Sequence, residues 1–105
     1  MEIYAFLFHQ TGTDEEFGAR IPRLMVWLRE LYAGGHLVAC GGGGWQNDTG
    51  AGLTLIKASS DEEAERLASG TPMNEIGYTE IMVWGCFYGN LNFKDNEFKL
   101  QAPTA

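Results

Sequence analysis

Glu2-Ile3-Tyr4-Ala5-Phe6-Leu7-Phe8-His9 is the stretch on which the fold turns. It is a short run rich in aromatics, bounded by Gln10-Thr11-Gly12, and this pattern predicts a β-strand. Successive strand side chains point to opposite faces, so Ile3, Ala5 and Leu7 share one face and Tyr4, Phe6 and Phe8 the other. A strand with one wet face alternates polar with apolar residues. This one is apolar on both faces, which calls for a sheet covered on both sides.

Working outward, Thr13 with Glu16 makes a capping box, and Asp14 and Glu15 suit the positive end of a helix dipole. Phe17, Ile21, Leu24, Leu28 and Leu31 then recur at helical spacing until Gly34-Gly35 ends the helix. Pro22 removes a backbone donor and crowds the carbonyl of Gly18. A kink is expected there, or a short first turn with the main helix restarting near Ile21. His36 to Cys40 reads as a second strand and Gly50 to Ala58 as a third, with Gly41 to Thr49 as a flexible hairpin loop between them. Ser60 with Glu63 opens a short second helix carrying Ala64, Leu67 and Ala68. Tyr78 to Tyr88 is read as a long last strand, with Ile81, Val83 and Phe87 on one face and Met82, Trp84, Cys86 and Tyr88 on the other.

The order β-α-β-β-α-β predicts an α+β fold of the ferredoxin-like kind, an antiparallel sheet with both helices on one face. The other face then needs a cover, which a second copy supplies by packing sheet on sheet, so a homodimer is expected. The domain is placed at residues 1–89 and a C-terminal tail at 90–105. Leu91 with Phe93, and Phe98 with Leu100, sit at strand spacing in that tail. It packs on its own subunit or crosses to the partner as an exchanged arm.

Composition narrows the partners. The 105 residues are 45% apolar and include six Phe, four Tyr and three Trp, more hydrophobic area than so small a domain hides alone. A net charge of -7 opposes binding to nucleic acid or to anionic lipid surfaces. There is no apolar run long enough to span a bilayer, and the first ten residues lack the basic segment and long hydrophobic stretch of a signal peptide, so a cytoplasmic location is expected. Cys40 and Cys86 each lie in an apolar run and are expected to be reduced, core-type thiols.

The chain resembles the YCII-related family, within the dimeric α/β-barrel group of folds. The resemblance covers roughly Ile3 to Trp84 and is carried by Ile3-Tyr4-Ala5-Phe6-Leu7, by Trp27-Leu28-Arg29-Glu30-Leu31-Tyr32-Ala33-Gly34-Gly35, by His36-Leu37-Val38-Ala39-Cys40-Gly41, and by Ser60-Asp61-Glu62-Glu63-Ala64-Glu65-Arg66-Leu67-Ala68. Similar patterns occur in the muconolactone-isomerase-like and stress-responsive barrel families. The resemblance implies acid–base chemistry by a histidine on the first helix and an aspartate in an Asp-Pro-Phe motif after the second. In this chain those places hold Leu24 and, in Thr71-Pro72-Met73, Thr71. Leucine cannot transfer a proton and threonine is a poor base at neutral pH, which argues against inherited His-Asp catalysis.

Among the remaining candidates, His9 ends the first strand beside a turn, where imidazole can act as donor, acceptor or proton carrier. At such a position it is equally an ordinary hydrogen-bonded histidine, and His36, opening the second strand, is a weaker candidate. Tyr4, Trp45, Trp84 and Tyr88 can line an apolar ligand pocket with Asp48 or Arg23 as a polar contact, or else form the dimer core. The histidines and cysteines form no paired ligand motif, so no metal site is expected, and no cofactor is implied. The glycine run lacks the lysine and hydroxyl of a phosphate-binding loop. Two readings follow: a non-catalytic small-molecule-binding homodimer, or a small isomerase or lyase using a pocket between sheet and helices with His9 as acid–base group.

Overall fold

Strand β1, Glu2–Gln10, runs between two neighbours in the computed structural model, which describes residues 1–45 and 48–89, the side chains of residues 45, 48 and 49 excepted. Helix α1 is Asp14–Ala33, β2 Leu37–Trp45, β3 Asp48–Ala58, α2 Asp61–Ala68 and β4 Gly77–Val83, with a 3-10 turn at Pro72–Glu75 before β4. The four strands form one antiparallel sheet in the order β2-β3-β1-β4. With both helices on one face this is the ferredoxin-like α+β arrangement. β1, whose two faces are both apolar, is one of its two inner strands. No helix among the described residues is long and apolar enough to cross a membrane. The tail at 90–105, with its proposed exchange, lies outside the described residues.

Local chemistry sets the helix ends. Thr13 Oγ1 accepts from the Glu16 amide at 3.1 Å while the Glu16 carboxylate accepts from the Thr13 amide at 2.9 Å, a complete capping box. At α2 the Ser60 hydroxyl accepts from the Glu63 amide, and the Glu63 carboxylate reaches one residue further back to the Ser59 amide. Of the two outcomes expected at Pro22, the restart near Ile21 is not seen: α1 runs as one continuous helix through it. A single missing backbone donor is offset by the cap and by the packing of Trp27, Leu28 and Leu31 further along.

Those three side chains, with Ala64 and Ala68 of α2, meet Tyr4, Phe6, Ile56 and Ala58 of the sheet to make the core. Trp27 stacks on Phe6 with ring centres 6.5 Å apart and donates its indole N–H to the Leu67 carbonyl at 3.0 Å. The register then assigns Leu7, His9, Leu53, Leu55, Lys57, Tyr78, Glu80 and Met82 to the opposite face of the sheet, away from both helices. Leu53, Tyr78 and Met82 there are exposed.

Three strand boundaries differ from expectation. The glycines read as loop belong to β2, and β3 begins at Asp48, because ladder bonds between the two strands hold even side-chain-free residues extended. β4 stops at Val83, after which one further rung forms from the Trp84 amide to the Ile3 carbonyl at 2.9 Å. Beyond that rung Phe87 and Tyr88 are exposed and do not extend the strand. Nor are the cysteines buried: Cys40 and Cys86 are both exposed, since β2 has a neighbour on one side only and Cys86 lies past the end of β4.

Candidate functional site

Trp27, Leu28 and Leu31 are buried, whereas Phe17, Ile21 and Leu24 of the same stripe are only half-buried. Under this N-terminal half, α1 and the sheet bound a cleft of about 530 Å³. Its roof is Phe17, Ile21, Leu24 and Met25, and its floor is made by Phe6 and Phe8 of β1 with Thr54 and Gly52 of β3 and Cys40 and Gly42 of β2. The volume suits a small organic molecule, and an apolar wall with a few polar groups is the usual composition of such a site.

The polar groups come from cross-strand register. Cys40 faces Thr54 across the ladder, and Sγ lies 3.2 Å from Oγ1. Although Cys40 is exposed at the sheet margin, burial of its sulfur against the floor pushes the thiol up from its ordinary value, and the contact with Thr54 only partly opposes this. At neutral pH the pair is a neutral thiol and a hydroxyl, able to give and accept hydrogen bonds. At the rim, Gln10 Nε2 donates to Asp14 Oδ1 and to the Gly12 carbonyl, both at 3.0 Å. Thr79 Oγ1 donates to Asn74 Oδ1 at 2.8 Å. The titratable side chains bordering the cleft, among the described residues, are Asp14 and Cys40, and no histidine borders it. Leu24 and Thr71, the positions where the family resemblance implies a histidine and an aspartate, both do. Thr71 is committed to its own turn, its hydroxyl accepting from the Met73 amide at 3.3 Å.

The residues singled out from sequence fall elsewhere. His9 lies on the open sheet face, stacked on Tyr78 with centroids 4.7 Å apart. Its Nε2 is shielded from solvent and lies 2.8 Å from Glu80 Oε1, without the alignment of a hydrogen bond. Tyr4 is in the core; its hydroxyl donates to Asp61 Oδ1 at 2.7 Å, and that bond, with desolvation and the Asp61 charge, pushes its pKa up to about 12. Arg23 grips Glu75 with two bonds of 2.9 and 2.7 Å while Arg20 adds a third at 3.0 Å. These guanidiniums hold Glu75 down at about 2. Trp84 follows β4 and is half-buried. Trp45 and Asp48 pair across the β2–β3 hairpin, and the placement of their side chains lies outside the described residues. Tyr4, His9, Arg23 and Trp84 are thus dispersed, and none borders the cleft. His36 holds the chain together: Nδ1 donates to the Lys57 carbonyl at 2.7 Å. No group of three or more His, Cys, Asp or Glu side chains suited to a metal occurs among the described residues.

No protein-family model matches the chain. No curated protein matches it either. A search of solved structures finds 5-chloro-2-hydroxyhydroquinone dehydrochlorinase (TftG) from Burkholderia phenoliruptrix AC1100, in complex with 2,5-dihydroxybenzoquinone, at a TM-score of 0.53 and 18% identity. The match covers 77% of this chain and 93% of that one. At that identity the likeness is one of fold, and it places this chain beside an α+β protein that accommodates a small cyclic ligand.

Proposed function

We propose that the chain is a homodimeric small-molecule-binding protein of the YCII-related type, which takes up a compact, ring-shaped organic ligand in the cleft under α1 without acid–base catalysis there. The observation that carries this reading is the cleft itself: about 530 Å³, walled by phenylalanines and aliphatic side chains, and furnished with neutral hydrogen-bonding groups at Cys40 and Thr54. The positions that the family resemblance assigns to a proton-transferring pair border it as Leu24 and Thr71. TftG, of similar fold, is seen with 2,5-dihydroxybenzoquinone, which supports a ligand of that size and shape.

The second copy covers the open face. Leu7, Leu53, Leu55 and Met82 lie there in register, and the fixed charges beside them, Lys57 and Glu80, cancel. The net charge of -7 therefore sits mostly away from that face, and two copies can meet there without strong repulsion.

Calorimetric titration with a panel of hydroxylated benzoquinones and benzoic acids tests the binding reading. One site per chain, with no change in the ligand's absorption spectrum on long incubation, is the expected result. Absence of any saturable binding would overturn it. The isomerase or lyase reading has one observation in its favour, the His9–Glu80 contact on a face that a second copy would enclose. Turnover of a panel member that His9→Ala abolishes would replace the binding reading with that one.

A further inference from the structure

Resting on the binding reading above, we propose that Gly42 and Gly52 set the ligand's shape: their bare backbone is a floor that admits a flat ring and excludes a puckered or branched one. The two residues face each other across the β2–β3 ladder, on the helix-facing side, and both border the cleft. Glycine weakens a strand, because it brings no side chain to pack and loses more freedom on ordering than other residues. A local reason for its use is therefore sought in conformation and in crowding.

Neither supplies one. Gly50, close by in β3, does need to be glycine: its φ is 127°, and a Cβ there would lie 2.9 Å from Gln10 Cβ. Gly42 and Gly52 do not have the positive φ that excludes other residues. A Cβ on Gly42 would meet only the Ala51 carbonyl oxygen, at 3.5 Å. On Gly52 it would sit 3.5 Å from Phe8 Cβ and 3.7 Å from the Gly41 carbonyl oxygen, both ordinary contacts. A Cβ fits at both positions with no contact closer than 3.5 Å. What glycine alone provides is empty space in the layer just above the sheet.

That layer has a defined setting. Phe8 flanks it on β1, Phe17 and Ile21 close it from above, and the Cys40–Thr54 pair stands next along the same strands. Same-face neighbours along a strand are about 7 Å apart, so a six-membered ring resting on the glycines brings an oxygen substituent against Sγ and Oγ1. The ligand class is a planar carbocycle, aromatic or quinonoid, with at least one ring oxygen. Peptide planes and a phenyl ring offer it flat contact on either side, and the thiol–hydroxyl pair fixes its orientation.

The test compares wild type, Gly42→Val, Gly52→Ala and, as a control that does not border the cleft, Gly18→Ala on the solvent side of α1. Gly18 is exposed on α1, and a Cβ there would meet nothing within 4 Å. Affinity for 2,5-dihydroxybenzoquinone is measured by calorimetry and the melting temperature of each protein by circular dichroism. Gly42→Val and Gly52→Ala are expected to keep or raise the melting temperature while weakening the quinone at least tenfold, with Gly18→Ala binding as wild type does. If wild type binds and both floor variants bind within twofold of it, the floor inference is overturned while the binding reading stands. If wild type binds none of the planar probes, both fall together. Gly52→Ala is the smaller change and decides the matter should Gly42→Val fail to fold.

Discussion

Replacing Leu53 by aspartate should dissociate the proposed dimer without unfolding the chain. Leu53 lies on the sheet face away from the helices, outside the core cluster, and is 43% exposed in the single copy. Complete burial of a leucine side chain is worth roughly 1.5–3 kcal/mol, and hiding the part that is still exposed therefore contributes about 1 kcal/mol per copy. A two-fold interface uses each residue twice, which makes about 2 kcal/mol for the pair and roughly a 30-fold change in the dissociation constant. Each aspartate also leaves a carboxylate without a partner in an apolar contact, at a further cost of about 1 kcal/mol or more. The sum, about 4 kcal/mol, corresponds to a roughly thousandfold weaker dimer. Sedimentation or light scattering over a dilution series reads it directly, with far-ultraviolet circular dichroism to check that the fold is kept. A wild type that remains monomeric at high concentration, or a Leu53→Asp variant as dimeric as wild type, would refute the assignment of this face.

Three further outcomes are expected. Gly77 pairs with Gln10 at the start of β4, and a Cβ there would fall on the His9 carbonyl oxygen and 2.6 Å from Phe8 Cε1. Gly77→Ala should cost about 3 kcal/mol, seen as a large drop in melting temperature, and a variant as stable as wild type would contradict the geometry. Glu75, held at about 2 by Arg23 and Arg20, is depressed from its ordinary 4.5, so its contribution is complete above pH 4.5 and fades as the pH falls towards 2. The melting-temperature difference between wild type and Glu75→Gln should be constant near neutrality and vanish across that acid window; a difference unchanged at pH 2 would dismiss the ion pair as its source. The Cys40 thiol, pushed up by burial, should alkylate with iodoacetamide more slowly than exposed Cys86 at neutral pH, and a cleft ligand should protect Cys40 alone. Equal rates and no protection, read by mass spectrometry of the labelled peptides, would detach Cys40 from the cleft.

Much of the fold was legible because it depends on short-range signals. The strand at Glu2 to His9, both caps and the stripe of α1 are written in neighbouring residues. The glycine run was misread because loop and strand differ there by pairing, not by composition: ladder bonds to β3 supply what the glycines lack. The end of β4 shows the same limit of composition, since Phe87 and Tyr88 look like strand residues but are exposed and lie past the last rung to β1. The cleft was the least legible part. Its residues lie on α1, all four strands and the turn before β4, and the meeting of Cys40 with Thr54 depends on a register that includes an irregularity. The sequence does carry one clue, that Phe17, Ile21 and Leu24 continue the stripe of Leu28 and Leu31, but periodicity cannot say which part of a stripe touches the sheet and which spans a gap.

The irregular ladder of β2 has a consequence of its own. This strand lies at the margin of the sheet, and its pairing with β3 shifts register between Leu37 and Ala39 and again between Gly43 and Gly44. A marginal strand is a template on which a foreign strand can grow, and a flat, unbroken one invites endless edge-to-edge addition. Bulges twist the backbone and put its free amides and carbonyls out of step, so an incoming chain would lose its alignment within a few residues. The chain can thus expose the broad apolar face of its sheet without polymerising sideways through β2.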